Sequence, residues 1–275
     1  MLIAVLLAGC AGGFADARQD AALLAGKGRY DEAAAVLRAD IRQHPPAVED
    51  RRVLIRVLAL TGNLGAAERE AEQLGNVLGK ASSVPWIEMG HAYELAHRYD
   101  EAMAMYDRAA EVAPRDEAGP RAGGMRAARW GEVELAKPRL EEALRRNPRD
   151  AEVWHALGLV RMRLGDTVGA RRAYESGMKA DPGALANRVG LATLALQQHQ
   201  PRAALAQYDA LVAARPRFAD ARLGRSLALL ELGQLDEAQQ ALDRAAELGA
   251  NRAAVAAQRR LLRELRQAAQ VKQNR

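Results

Sequence analysis

The stretch that decides the fold runs from residue 83 to residue 116 and reads SVPWIEMGHAYELAHRYDEAMAMYDRAAEVAPRD. Its two halves, before and after His97, carry apolar and small residues at helical spacing, and Pro114 closes the second half. Strong helix formers fill the rest of the chain, and only 4% of its residues are aromatic. The sequence therefore predicts an all-α protein built from pairs of helices.

The pattern of this stretch returns every 34 residues, which indicates a repeat architecture. One inserted residue, Ser82, separates the second copy from the third, and the other copies follow one another without a gap. The seven copies occupy residues 14–47, 48–81, 83–116, 117–150, 151–184, 185–218 and 219–252.

Two positions of the repeat support this alignment. Position 20, where only a small side chain lets two helices approach closely, is alanine in every copy: Ala33, Ala67, Ala102, Ala136, Ala170, Ala204 and Ala238. Position 15 is glycine in five copies and His97 or His199 in the other two, so we interpret both histidines as left-handed turn residues rather than ligands. Pro138 breaks the pattern and is expected to kink or shorten the second helix of its copy.

The third copy resembles the tetratricopeptide repeat (TPR), whose pattern is W-x₂-L-G-x₂-Y followed by A-x₃-F, A and P. The matching residues are Trp86, Met89, Gly90, Tyr93, Ala102, Tyr106, Ala109 and Pro114. The resemblance implies a right-handed superhelical solenoid of about seven helix-turn-helix repeats, closed by a capping helix over residues 253–275. It also implies a non-catalytic scaffold that binds other proteins.

In TPR proteins the first helix of each repeat lines a concave groove, and positions 2, 5, 9, 12 and 13 point into it. Carried over, the partner-binding groove comprises Arg52, Arg56, His91, Glu94, Arg121, Met125, Arg129, His155, Leu159, Met162 and Arg163, and continues at Thr193, Leu196, Leu227 and Leu230. This groove starts basic and becomes apolar, which suits an extended or helical protein segment with acidic and apolar residues. The alternative is that several of these side chains only pack between neighbouring helices. The lysine and asparagine of chaperone-binding repeats are missing from positions 5 and 9, which disfavours a co-chaperone role.

Residues 2–9 form a short apolar run that ends at Cys10, the single cysteine of the chain. The run Leu7-Ala8-Gly9-Cys10 resembles the lipobox of bacterial lipoproteins, although no basic residue precedes it. The resemblance implies a signal peptide over residues 1–9, a lipidated linker over residues 10–13, and a lipid on Cys10. Ala11 follows the cysteine, which in such lipoproteins indicates the periplasmic face of the outer membrane. The alternative is a cytoplasmic protein without a lipid.

The net charge of +5 comes from the C-terminal segment. Residues 252–275 carry seven basic residues and one acidic residue, and they contain no aromatic residue for stacking on bases. We therefore expect no nucleic-acid partner and interpret this segment as a polar cap for the last repeat. Contact with anionic lipid is the alternative interpretation.

The sequence contains no phosphate-binding loop, no metalloprotease motif and no nucleophile elbow, so we expect no catalytic residue, cofactor, metal or small-molecule substrate. A lipid-anchored TPR array resembles outer-membrane TPR lipoproteins such as TadD of the tight-adherence (Flp) pilus system and the type IV pilus pilotins. The resemblance implies an assembly factor for an envelope pilus or secretion apparatus. The alternatives are a lipoprotein scaffold for outer-membrane protein insertion or cell-wall maintenance, and a cytoplasmic regulatory module.

Overall fold

The structure is a computed structural model that describes residues 15–273. The predicted signal peptide, linker and Cys10 lie outside the described residues. Within residues 15–273 the chain forms fifteen helices and no strand. In order they are α1 Ala15–Gly26, α2 Tyr30–Gln43, α3 Val48–Leu60, α4 Leu64–Leu78, α5 Val84–Leu95, α6 Tyr99–Val112, α7 Ala118–Trp130, α8 Val133–Arg146, α9 Ala151–Arg163, α10 Thr167–Ala180, α11 Leu185–Gln197, α12 Pro201–Ala214, α13 Ala219–Glu231, α14 Leu235–Glu247 and α15 Arg252–Gln273.

Consecutive helices pair into seven hairpins. The chain divides into two compact units between residues 147 and 148. Unit 1 holds the four hairpins from α1 to α8. Unit 2 holds the three hairpins from α9 to α14 and the additional helix α15. The predicted all-α architecture of seven helix hairpins and a final helix is confirmed for the described residues.

The seven alanines at position 20 are all fully buried, with an exposed fraction of 0% each. Each lies on the second helix of its hairpin, where the predicted close approach to the first helix leaves no room for a larger side chain. In three hairpins a glycine of the first helix faces a large side chain of the second, as Gly158 faces Tyr174. A Cβ on Gly158 would lie 2.3 Å from a ring carbon of Tyr174. These three hairpins are therefore closed by one small and one large residue in register.

The turns inside the hairpins have the predicted conformation. The glycines at position 15 have φ between 73° and 89°, and His97 and His199 have φ of 58° and 53°. This left-handed turn lets a backbone N–H return to the end of the first helix, as Arg98 N–H does to the carbonyl of Tyr93 at 2.9 Å. The interpretation of both histidines as turn residues is confirmed.

Helix α15 covers the last hairpin of unit 2 with one apolar face. Val255 and Leu262 are buried there, and Leu262 packs with Leu229 and Leu230. On the other side of the helix, Arg259 and Arg266 pair with Asp243 and Asp236 of α14 at 3.0 and 2.8 Å. The basic segment is therefore partly neutralised by the hairpin that it covers.

Pro138 does not shorten its helix, contrary to one of the two expected effects. Helix α8 has 14 residues, as many as α6, and Pro138 lies inside it. The proline has no N–H to offer to the carbonyl of Glu134, so the helix continues with one backbone hydrogen bond fewer.

Replacing Pro138 with alanine is expected to raise the free energy of unfolding by about 1–2 kcal/mol, because it restores that hydrogen bond and removes the steric conflict of the ring. Urea denaturation followed by circular dichroism measures the difference. Pro201→Ala is the matched control, since Pro201 is the first residue of α12 and no helical hydrogen bond is missing there. Equal changes in the two variants would contradict the explanation.

Candidate partner-binding groove

The first helices of the hairpins in unit 1 stack on one another and form a continuous face. Helix α3 packs against α5, and α5 packs against α7. These three helices carry seven of the predicted groove residues: Arg52, Arg56, His91, Glu94, Arg121, Met125 and Arg129. The backbone therefore places these seven residues on neighbouring helices of one unit.

A buried carboxylate lies at the centre of this face. It is not among the predicted groove residues. Glu88 on α5 has an exposed fraction of 0%. Arg52 Nε donates to its Oε1 at 2.8 Å, Arg56 Nε lies 3.2 Å from its Oε2, and His91 Nδ1 lies 3.6 Å from the same oxygen. Arg52 also donates to Glu49 at 2.9 Å. We call Glu49, Arg52, Arg56, Glu88 and His91 the Glu88 cluster.

The burial of Glu88 follows from an exchange of residue sizes between neighbouring repeats. In unit 2, Tyr174 and Tyr208 at position 24 pack closely against Gly190 and Gly224 at position 6 of the next repeat. Between the second and third repeats, in unit 1, the corresponding pair is a small residue at position 24, Ala71, and Glu88 at position 6. The repeat register thus places the carboxylate in space that an aromatic ring fills elsewhere.

The surrounding basic side chains keep the buried carboxylate ionised. Burial alone would raise the pKa of Glu88, but His91, Arg56 and Arg52 outweigh burial and lower the pKa from 4.5 to about 2. The Arg56 guanidinium is mostly buried beside it, with 13% of its side chain exposed, whereas 33% of the Arg52 side chain is exposed. The carboxylate therefore fixes two guanidinium groups on the groove face at neutral pH.

A second charged pair extends this arrangement to α7. Arg126 Nε lies 3.3 Å from Glu94 Oε2. The buried Tyr106 lies beside this pair and packs edge-to-face on His91, with ring centroids 5.8 Å apart. Burial is the main cause that raises the pKa of Tyr106, and the nearby Glu94 raises it further. The phenol therefore stays neutral between the two charged groups.

These pairs change the expected character of the groove. Arg52, Arg56 and Arg126 are each paired with a carboxylate of the same face. Arg129 is exposed on α7, and among residues 15–273 it makes no ion pair. Met125 lies one turn before it and is half-buried. The basic part of the face is consequently narrower than the sequence suggested and is concentrated on α7.

The predicted groove residues of unit 2 divide into exposed and buried side chains. Leu159 is 46% exposed, whereas Leu230 is only 3% exposed and belongs to the core under α15. Met162 is partly buried against Tyr174. The ring of His155 lies 5.9 Å from that of Tyr174, and burial lowers the pKa of His155.

The other predicted groove residues of unit 2 are exposed or half-buried. Arg163 is exposed at the end of α9, and Thr193 is exposed on α11. Leu196 and Leu227 are half-buried.

The sequence did contain a signal for Glu88. Position 6 is Gln19, Val53, Ala122, Ala156, Gly190 or Gly224 in the other repeats, so Glu88 is its single carboxylate. No such signal exists for Arg126, because its pairing depends on how α5 and α7 are placed.

Within residues 15–273 no group of side chains could hold a metal ion, and none of the helices combines the length and the hydropathy that a membrane span requires.

Comparison with protein families supports the repeat pattern. The family described as "Tetratricopeptide repeat" matches residues 86–119, 121–184 and 189–256, which together are more than half of the chain.

Two curated relatives match over part of the chain. Cellulose synthase operon protein C of Komagataeibacter xylinus is 38% identical over 88 residues, which are 32% of this chain and 7% of that protein. The heat-shock protein cognate co-chaperone sgt12 of Aspergillus fumigatus is 34% identical over 95 residues, which are 34% of this chain and 27% of that protein. The chain thus matches only a small part of the length of these relatives.

Solved structures share the fold at low sequence identity. The C-terminal part of a TPR repeat-containing protein from Cytophaga hutchinsonii superposes with a TM-score of 0.63 at 16% identity, covering 86% of this chain and 97% of that chain. YrrB, described as a TPR protein with an unusual peptide-binding site, superposes with a TM-score of 0.58 at 18% identity, covering 69% of this chain and 97% of that chain. At these identities the likeness shows the fold alone.

Proposed function

Because the chain belongs to the tetratricopeptide-repeat family, whose members are protein-interaction scaffolds, we propose that the first-helix face of unit 1 holds a segment of a partner protein. The observation that carries this proposal is the Glu88 cluster. A buried ion pair stabilises a protein little compared with an apolar core of the same size. We therefore explain the cluster by a different effect, namely that Glu88 holds the guanidinium groups of Arg52 and Arg56 in position. Each guanidinium has five N–H donors, and Glu88 and Glu49 occupy only some of those of Arg52.

The partner segment proposed for this face is extended or helical and carries acidic and apolar residues. Arg129 supplies a positive charge without a carboxylate of its own, and the flexible Met125 beside it adapts to apolar side chains of different shape. The Arg52 donors are held in place before binding, which lowers the entropic cost of ordering them in the complex. Acidic residues of the partner would therefore lie near α3 and α7.

A pull-down from an envelope extract tests this role. The double variant Met125→Glu/Arg129→Glu is expected to lose the partner, because it replaces an adaptable apolar contact and the available cation with negative charges. Glu134→Lys on α8 is the control, since Glu134 is exposed on a second helix. Recovery of the same partner by the wild type, the double variant and Glu134→Lys would refute the groove as the binding site.

For the cellular role, we propose a lipid-anchored assembly factor of an envelope pilus or secretion apparatus, attached through Cys10 to the periplasmic face of the outer membrane. The run Leu7-Ala8-Gly9-Cys10 supports the anchor. A scaffold for outer-membrane protein insertion or cell-wall maintenance is the alternative with the same anchor, and genes for a secretin and pilus motor beside this one would favour the first proposal.

Mass spectrometry of the mature N-terminus separates both proposals from a cytoplasmic regulatory module. The anchor predicts a chain that starts at Cys10 with a diacylglyceryl modification. A mature chain that keeps an unmodified Met1 would exclude it.

A further inference from the structure

Unit 1 contains a second concave site, on a different side of α5 from the groove. A cavity of about 620 Å³ lies between α4, α5 and α6. From α5 it is lined by Pro85, Trp86, Met89 and Tyr93. At 100° per residue, the mean direction of these positions lies about half a turn away from the mean direction of Glu88, His91 and Glu94. We call this site the outer cavity.

Helix α4 lines the outer cavity with two small residues at positions where most other repeats carry larger ones. Position 24 is leucine or tyrosine in six repeats but Ala71 in this one. Position 28, one turn further along the same row, is Gly75, whereas the other repeats have Ile41, Ala110, Leu144, Met178, Val212 or Ala246. A Cβ on Gly75 would meet only the Pro85 side chain, at 3.7 Å. Since Glu88 occupies the space beside Ala71, the opening along this row is left by Gly75, where four of the other six repeats carry a larger apolar side chain.

The floor of the outer cavity is apolar and its α4 rim is acidic. Met89 is buried at the floor, and Met105 and Val112 of α6 line one wall. Glu68 and Glu72 stand one turn apart on the α4 rim. Glu68 accepts a hydrogen bond from the Tyr93 hydroxyl at 2.6 Å, and Glu72 makes no ion pair among residues 15–273. This rim therefore attracts a cation above an apolar surface.

The basic side chains at the outer cavity do not cancel this preference. Arg108, on the α6 rim, is paired with Glu111 at 2.9 Å, and its guanidinium carbon lies over the Trp86 ring, 5.5 Å from the centroid. Lys80 lies in the linker beyond the end of α4, two helical turns from Glu72. Arg98 lies over the Tyr93 ring at 5.0 Å and donates to Glu101 at 2.9 Å. The positive charges are thus paired with other carboxylates, or lie across the cavity or at its end, and the α4 rim stays acidic.

We propose that the outer cavity binds apolar side chains of a partner peptide that also carries lysine or arginine, with the cation beside Glu68 and Glu72. A cavity of this size accommodates large apolar side chains, and a few charged groups at its rim set their orientation. The preference is opposite to that proposed for the groove, which favours acidic segments. The two faces of unit 1 would then bind different segments, and the outer cavity does not depend on the groove being correct.

Selection of a random peptide library displayed on phage against the full chain tests this proposal. Selected peptides are synthesised and their affinities measured by fluorescence polarisation for the wild type and four variants. Gly75→Met fills the cavity with the side chain that Met178 has at the same repeat position, and Glu72→Lys reverses the rim charge. Gly65→Ala on α4 and Arg129→Glu in the groove are the controls.

We expect a set of peptides with a large apolar residue close to lysine or arginine. These should bind Gly75→Met and Glu72→Lys about tenfold or more weakly than the wild type, and bind both controls unchanged. Gly75→Met should also melt at a higher temperature than the wild type, because it removes a helical glycine and fills an apolar space, so its loss of binding would not come from unfolding.

Two outcomes would overturn the proposal. The first is that no selected peptide loses affinity for Gly75→Met or Glu72→Lys. The second is that the peptides sensitive to Gly75→Met are acidic, or bind Glu72→Lys more tightly than the wild type. Peptides that instead respond only to Arg129→Glu would support the groove and reject the outer cavity.

Discussion

Replacing Glu88 with glutamine is expected to lower the free energy of unfolding by about 3 kcal/mol at pH 7. The variant removes the buried carboxylate that pairs with the mostly buried Arg56 and that shares Arg52 with Glu49, and breaking a buried pair in this way costs about 3–5 kcal/mol. Glutamine keeps the shape and one acceptor, so we expect the lower end of that range. Urea denaturation of both proteins measures the difference.

The loss of stability caused by Glu88→Gln should become smaller as the pH falls. The folded pKa of Glu88 is about 2, below the ordinary value of 4.5, so its ionisation stabilises the folded state at pH values above about 4.5. This contribution is lost as the pH falls from about 4.5 to about 2. The difference between wild type and Glu88→Gln should therefore shrink over this range.

Glu49→Gln is the matched control for Glu88→Gln. Glu49 also pairs with Arg52, but 42% of its side chain is exposed, so its removal should cost less than about 1 kcal/mol. Similar losses for the two variants, or a difference from wild type that does not change below pH 4.5, would show that the buried carboxylate is not the centre of the cluster.

Replacing Gly119 with alanine is expected to destabilise the protein by about 2–3 kcal/mol, because it forces α6 and α7 apart. A Cβ at residue 119 would lie 2.5 Å from the backbone N of Ala110 and 2.8 Å from the backbone C of Ala109. Backbone atoms cannot move aside as the end of a side chain can. Since α7 carries Met125 and Arg129, the shift should also weaken binding to the groove.

Gly65→Ala is the control for the effect of alanine in a helix. A Cβ at residue 65 would meet only the end of the Arg69 side chain, at 3.7 Å. We expect it to be neutral or to stabilise the protein by up to about 1 kcal/mol, because alanine has the higher helix propensity. Thermal denaturation of both variants gives the comparison, and a stable Gly119→Ala protein would contradict the close approach of α6 and α7.

The features that repeat along the chain could be predicted from sequence. The alanine at position 20 and the turn residues at position 15 recur at a fixed spacing, so a local steric requirement appears seven times and can be recognised. His97 and His199 were placed correctly for this reason, since their position in the repeat rather than their chemistry identifies them as turn residues. The length of α8 was not predictable from Pro138, because packing against neighbouring helices outweighs one lost hydrogen bond.

The features that break the repeat carried the functional information and were harder to interpret. Glu88 and Ala71 are exceptions in two different repeats, and only the packing of one repeat against the next makes them a pair. The same holds for Gly75, whose small size matters because α5 and α6 form the other walls of the outer cavity. Arg52 and Arg56 look like free basic groove residues within their own repeat, but the next repeat supplies the carboxylate that pairs with both.

The structure also changes which variants can test the groove. Reversing the charge of Arg52 or Arg56 would place a carboxylate against Glu88, so a loss of binding could come from unfolding. Met125 and Arg129 avoid this difficulty because neither contacts the buried carboxylate in the structure.

The most direct test of the groove is site-specific photo-crosslinking in living cells, with p-benzoylphenylalanine at residue 125 and, as a control, at residue 134. If the first-helix face of unit 1 holds a partner, the probe at residue 125 should give a discrete covalent adduct that the probe at residue 134 does not give. The adduct should disappear when Arg129→Glu is added. Equal adducts from both positions, or none from residue 125 while a partner still co-purifies, would contradict the assignment of this face as the binding site.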